Sequence, residues 1–157
     1  PLLHFIMFPA GIDTGKSIRL KGKGMPGTGG GEAGDLLLNI TVTAKPGWER
    51  KEMDVYSTVR IPFTTAVFGG EALVSTLYGN VLCRIAAGTQ SGTEIKLKGK
   101  GIVSMKNPSI HGNQYVTVQI DVPNHLTPEA EQKLREFEHA CGLNKNSQGG
   151  PNGRSAA

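Results

Sequence analysis

The chain carries the same pattern twice. Phe8–Gly24 (FPAGIDTGKSIRLKGKG) aligns with Ile85–Gly101 (IAAGTQSGTEIKLKGKG) at a constant offset of 77, with nine of 17 positions identical. After one inserted residue the likeness resumes, Gly34–Val42 against Gly112–Ile120. Similarity at a fixed spacing marks one supersecondary unit used twice, so both copies must be explained by one local structure.

Each copy reads as a β unit. An apolar strand (His4–Phe8 or Val81–Ile85) meets a glycine-bounded turn (Gly11–Gly15 or Gly88–Gly92), then an alternating strand, Ser17–Lys21 or Glu94–Lys98, with Ile and Leu on one face. A Gly-Lys-Gly loop leads to a long strand, Leu36–Lys45 or Gln114–Val122. Period-two alternation puts Leu36, Leu38, Ile40 and Val42 on one face, and Val116, Val118, Ile120 and Val122 on one face of the copy. Glycine supplies 22 of 157 residues, about twice the usual share. Without a G-X-Y period this is turn chemistry, and the Val- and Ile-rich runs exclude a wholly disordered chain. No apolar run is long enough to span a membrane.

The copies differ in what precedes them. Two further strands, Asp54–Pro62 and Glu71–Thr76, joined by Phe63–Gly70, stand before the second; only Pro1–Leu3 stands before the first. The first unit is therefore expected to lack its N-terminal half and to keep an open sheet edge. Beyond Pro123 the pattern turns helical: Thr127 suits an N-cap, Pro128 the first helical position, Glu129 and Glu131 the first turn, and Gly142 the stop. Ala130, Leu134, Phe137 and Cys141 form one narrow apolar stripe. The expected class is mostly β, two tandem sandwich-like units and a C-terminal α-helix. Its divisions are 1–45 (second half of a first β domain), 46–123 (second β domain), 124–142 (helix) and 143–157 (a polar, glycine-rich disordered tail).

Chemistry is sparse. The net charge is +4, and the basic side chains have no aromatic residues interleaved with them, which argues against nucleic-acid stacking. Gly22-Lys23-Gly24-Met25-Pro26-Gly27 fits G-x-G-x-x-G, but Thr28-Gly29-Gly30-Gly31 follows where a dinucleotide site needs a helix. His4, His111, His125 and His139 have no nucleophile or carboxylate at a triad-like spacing, and G-x-S-x-G and H-E-x-x-H are absent. The chain reads as no enzyme. Cys83 and Cys141 form no CxxC and read as two reduced thiols of a cytoplasmic protein, Cys83 facing inward with Val81 and Ile85. Pro1–His4 offers neither an initiator Met nor a basic segment before Phe5–Phe8, so no signal peptide is read and a piece of a longer protein is expected.

The PAG-x-x-x-G turn at Pro9–Gly15, the RLKGKG and KLKGKG loops, GDLLLNITV, FGGE at 68–71, Ala87–Gly92 (AGTQSG) and QYVTVQIDVP at 114–123 together resemble the C-terminal region of DnaJ-type J-domain co-chaperones, over about residues 4–141. The resemblance implies tandem client-binding β domains and a dimerisation helix, hence a homodimer that holds non-native polypeptides and delivers them to a DnaK-type partner. No His-Pro-Asp and no CxxCxGxG occur, so the J-domain, and a zinc module if the parent carries one, lie upstream; no cofactor is expected in this chain. The join Lys45–Asp54 is shorter than the family's usual one, and Glu52 stands where a glycine is expected in the turn.

Carrying the family's apolar groove over gives His4 and Leu38 with Ile6 beside them, Leu36 on the same face, and Phe5 and Met7 if the register slips by one. Outward positions support the first unit: Phe5 and Met7 oppose Leu82 and Arg84 of the second, and Leu37 opposes Tyr115. Core packing is the competing reading for each residue. For the whole chain the competing reading is a β-repeat scaffold or a nucleic-acid-binding module using the basic Gly-Lys-Gly loops.

Overall fold

The computed structural model describes residues 6–143. They fall within two compact units, Pro1–Asp121 and Val122–Ala157. The protein is mostly β, with a C-terminal helix.

In the first unit, β1 (Ser17–Leu20) and β2 (Leu36–Asn39) form an antiparallel pair. A short 3₁₀ turn, Thr28–Gly30, lies in the loop between them. Next come β3 (Trp48–Lys51), β4 (Asp54–Pro62), α1 (Phe63–Phe68), β5 (Gly70–Thr76), β6 (Gly79–Ile85), β7 (Glu94–Leu97) and β8 (Gln114–Asp121). A four-stranded sheet runs β3-β4-β8-β7, with β4 and β8 parallel, and β5-β6 form a separate hairpin. Strict alternation explains the packing. Val55 and Ile61 of β4 and Val116 and Val118 of β8 are buried on one face, with Ser57 and Val59 on the same side, while Tyr56, Thr58 and Arg60 of β4 and Tyr115 and Thr117 of β8 face the other way.

Two apolar clusters fill the interior. Ile61, Ala66, Ile85 and Val118 form one; Val74, Cys83 and Val116 form the other; Val59 and Ile95 pack against both. The hairpin thus closes over the sheet as a sandwich, each fully buried aliphatic side chain contributing roughly 1.5–3 kcal/mol. Buried Gln114 ties the layers together: its Nε2 donates to Ser57 Oγ and to the Ser75 carbonyl, both at 2.9 Å.

Three expectations change. The join expected at Lys45–Asp54 contains β3, paired with β4 through Trp48↔Ser57 and Arg50↔Val55. Phe63–Gly70 contains α1, whose Ala66 is buried and whose Gly69 N–H closes the helix on the Thr65 carbonyl. The long strand expected over Leu36–Lys45 stops at Asn39: backbone bonds to the first strand continue only through Ile40, and the Val42 N–H then donates to the Thr14 side-chain oxygen at 2.8 Å.

In the second compact unit, α2 (Pro128–Cys141) is capped as its sequence demands. Thr127 Oγ1 accepts the Ala130 N–H at 3.2 Å, and Gly142 adopts the left-handed conformation. Glu129–Lys133 and Glu131–Arg135 ion pairs line its polar face one turn apart.

Candidate functional site

The β1–β2 register sets the site. Ile18 pairs with Leu38 and Leu20 with Leu36, so these four side chains share one face, while Arg19 and Leu37 occupy the other. Both ends are pinned. The Asp35 carboxylate pairs with the Arg19 guanidinium and accepts the Gly22 N–H at 2.8 Å; Ser17 Oγ donates to Asn39 Oδ1 at 2.7 Å. Yet the pair has little cover. No described residue before Val55 is buried, and Leu36 is 39% and Leu37 63% exposed.

His4 and Phe5 lie outside the described residues. Leu36 and Leu38 share a face as read from the sequence. Ile6 does not join them on a strand: the described part of the strand expected at His4–Phe8, Ile6–Phe8, is irregular. Met7 is 92% exposed. Ile18 and Leu20 share the face of Leu36 and Leu38, which their alternation alone does not show because it needs the cross-strand register. The second unit is not the less apolar of the two either. Leu73 and Leu82, paired across β5–β6, are 62% and 61% exposed, with Phe68 exposed as well.

The two copies match bond for bond. Gly15 N–H to Ile40 O (3.0 Å) recurs as Gly92 to Val118 (2.7 Å), and Gly24 to Gly34 (2.6 Å) as Gly101 to Gly112 (3.0 Å). The Asp35 contact with Gly22 recurs as Asn113 Oδ1 with the Gly99 N–H at 3.3 Å. The Gly-Lys-Gly amides are therefore occupied by the chain's own acceptors, which leaves no nest of free N–H groups for a phosphate. The copies part company at the long strand. β8 has β4 along its other edge, whereas the described residues place nothing along the other edge of β2.

The repeat, its turn chemistry and the sandwich match residues 5–123 to the family model described as the DnaJ C terminal domain. The chain belongs to that family. The Chaperone protein DnaJ of Lachnospira eligens is 42% identical over 135 residues, 86% of this chain and 36% of that protein. That of Clostridium novyi is 44% identical over 137 residues, 87% and 36%. That of Burkholderia thailandensis is 42% identical over 146 residues, 93% and 37%. The chain thus spans little more than a third of the length of these curated relatives.

On the outer face of the four-stranded sheet, Tyr56 and Tyr115 stack at 5.2 Å, with Lys51 Nζ 4.8 Å from the Tyr56 ring and Lys96 Nζ 5.6 Å from the Tyr115 ring. Aromatic and basic groups do meet, through the β4–β8 pairing, but this row is a cross-strand ladder: stacking and cations cover the rings. Ala130, Leu134, Phe137 and Cys141 lie along α2, which buries none of its side chains, Leu134 and Phe137 remaining 42% and 39% exposed. Cys83 belongs to the core, and burial pushes its thiol above its ordinary pKa. Among the described residues no group of three His, Cys, Asp or Glu side chains is placed to hold a metal ion, and no helix is long and apolar enough to cross a membrane.

Proposed function

We propose that the chain is the client-binding and dimerisation part of a J-domain co-chaperone of the cytoplasm, holding non-native polypeptides for delivery to a DnaK-type chaperone. Family membership supports the co-chaperone role, and the relatives are named as chaperones. The observation that carries the reading is the uncovered β1–β2 face. Leu36 and Leu38 present apolar side chains beside a strand edge that is free among the described residues; His4 and Ile6, or Phe5 and Met7 in the other register, complete the proposed groove as read from the sequence. An added strand supplies backbone hydrogen bonds to any sequence, and the leucines select apolar side chains. Ala130, Leu134, Phe137 and Cys141 are the proposed contact between two copies of α2. The proposed chain works without catalysis or a cofactor of its own, and the zinc module, where a parent carries one, belongs to the upstream part.

The test is fluorescence anisotropy of a labelled apolar peptide, with Leu38→Ser at a half-buried position against Leu82→Ser at an exposed one. Leu38→Ser is expected to weaken binding severalfold and Leu82→Ser to leave it unchanged. Greater weakening by Leu82→Ser would move the groove to the second unit. A labelled single-stranded oligonucleotide that binds at low salt and is lost steeply with added salt, while the peptide is not bound, would favour the nucleic-acid reading instead.

A further inference from the structure

The seam between the β1–β2 pair and the second β unit holds a hollow that is partly open to solvent. A cavity of about 450 Å³ lies there, with Val42 and Ala44 on one side and Trp48, Val55, Leu77 and Ile102 on the other. Side chains around a void lack contact partners, so apolar packing does little to fix the angle between the two parts.

One side chain crosses at its margin. Arg50, on β3, points inward and is about a quarter exposed. Its Nη1 donates to the Ile12 carbonyl at 2.9 Å and its Nη2 to the Gly11 carbonyl at 2.8 Å, while Nε donates to the Glu52 carbonyl of its own hairpin at 2.8 Å. Asp13 Oδ2 lies 3.4 Å from Nε. Among the described residues, the side-chain hydrogen bonds across this seam all come from Arg50. The planar guanidinium suits two consecutive carbonyls as a single ammonium does not. The loop it grips is seated closely: a Cβ on Gly11, at φ +83°, would stand 2.0 Å from the Val103 carbonyl oxygen.

We propose that Arg50 is a positioning residue, its guanidinium setting the orientation of the β1–β2 pair against the second β unit by holding the Gly11 and Ile12 carbonyls across a hollow seam. The anchor is itself fixed, since Nε is held by the Glu52 carbonyl at the hairpin turn. The inference concerns a distance within the chain and stands apart from the client reading.

The measurement is the distance distribution between two spin labels, at Lys16→Cys and Glu71→Cys, with Cys141→Ser and the buried Cys83 retained. The parent is expected to give one narrow distribution. Arg50→Met should widen it at least twofold, and Arg50→Lys, which keeps the charge without the fork, should stay wide. An Arg50→Met distribution as narrow as the parent's, or full recovery in Arg50→Lys, overturns the proposal. If Arg50→Met exposes Cys83 to thiol reagents, so that its own unit has opened, Arg50→Lys decides: a distribution as narrow as the parent's overturns the proposal, and a wide one with Cys83 still protected supports it.

Discussion

Replacing Glu52 with glycine should stabilise the Pro1–Asp121 unit. Glu52 is the non-glycine residue at positive φ (55°) among the described residues, at the β3–β4 turn, and its side chain is exposed. The left-handed region costs an L-residue roughly 1–2 kcal/mol through the close approach of Cβ and the carbonyl oxygen. Glycine removes that cost but returns about 0.4–1 kcal/mol through its freer unfolded chain. The net gain is roughly 0.5–1 kcal/mol, and at about 4 °C or more per kcal/mol for a domain near 100 residues this raises the melting temperature by roughly 2–6 °C. The Arg50 bond to the residue 52 carbonyl survives, being a backbone contact. Thermal unfolding followed by circular dichroism is the assay, with Glu52→Ala as the control: it removes the same charge and keeps Cβ, so it should stay within about 0.5 kcal/mol of the parent. A Glu52→Gly protein that melts no higher than the parent, or an alanine variant that gains as much, would refute the backbone argument.

Gly112→Ala should be severely destabilising by urea titration, because the added Cβ would stand 2.0 Å from the Met53 carbonyl oxygen; a loss under about 1 kcal/mol would mean that the hairpin tip shifts freely. Thiol titration at neutral pH should modify Cys141 at once and Cys83 only on unfolding. Because burial raises the Cys83 pKa, the folded state holds that proton to higher pH than the unfolded one, so stability should fall as pH rises above the ordinary thiol pKa; Cys83→Ala should flatten that fall, which urea midpoints across alkaline pH would show.

Legibility followed the range of the deciding forces. The α2 bounds were readable because cap, first turn and stop are local: Thr127, Pro128 and Gly142 act within a turn of their own positions. β4 was readable from its Val and Ile content and its flanks. β3 was not, since Arg50 faces inward to satisfy carbonyls 38 and 39 positions away, and a charged inward residue looks like loop. α1 is rich in β-branched residues, and its helical state rests on burying Ala66 against Ile61, Ile85 and Val118. The Tyr56–Tyr115 stack depends on parallel pairing of strands about 60 positions apart, which no local pattern reports. Within the groove, Leu36 and Leu38 were readable from alternation, whereas Ile18 and Leu20 needed the register.

The strength of the proposed groove bears on the proposed pairing of α2 between two copies. Ile18, Leu20, Leu36 and Leu38 would gain roughly 1.5–3 kcal/mol each if buried from full exposure. They are already partly covered, so an incoming strand recovers about half, roughly 3–6 kcal/mol. Edge hydrogen bonds over a four-residue strand add about 1 kcal/mol each. Against this stand at least 4 kcal/mol for association and more for ordering the peptide, leaving roughly 3–6 kcal/mol, a dissociation constant near 0.1 mM or weaker. One groove of this kind releases a client quickly; two linked grooves can hold a long client 10²–10⁴-fold more tightly with no new contact. Phe137→Asp in α2 should therefore shift sedimentation from dimer to monomer, leave short-peptide affinity unchanged, and cut the affinity for a polypeptide with two well-separated apolar segments at least tenfold. A parent that stays monomeric across a dilution series, or equal losses for the short and the two-segment ligand, would show that α2 does not link two grooves.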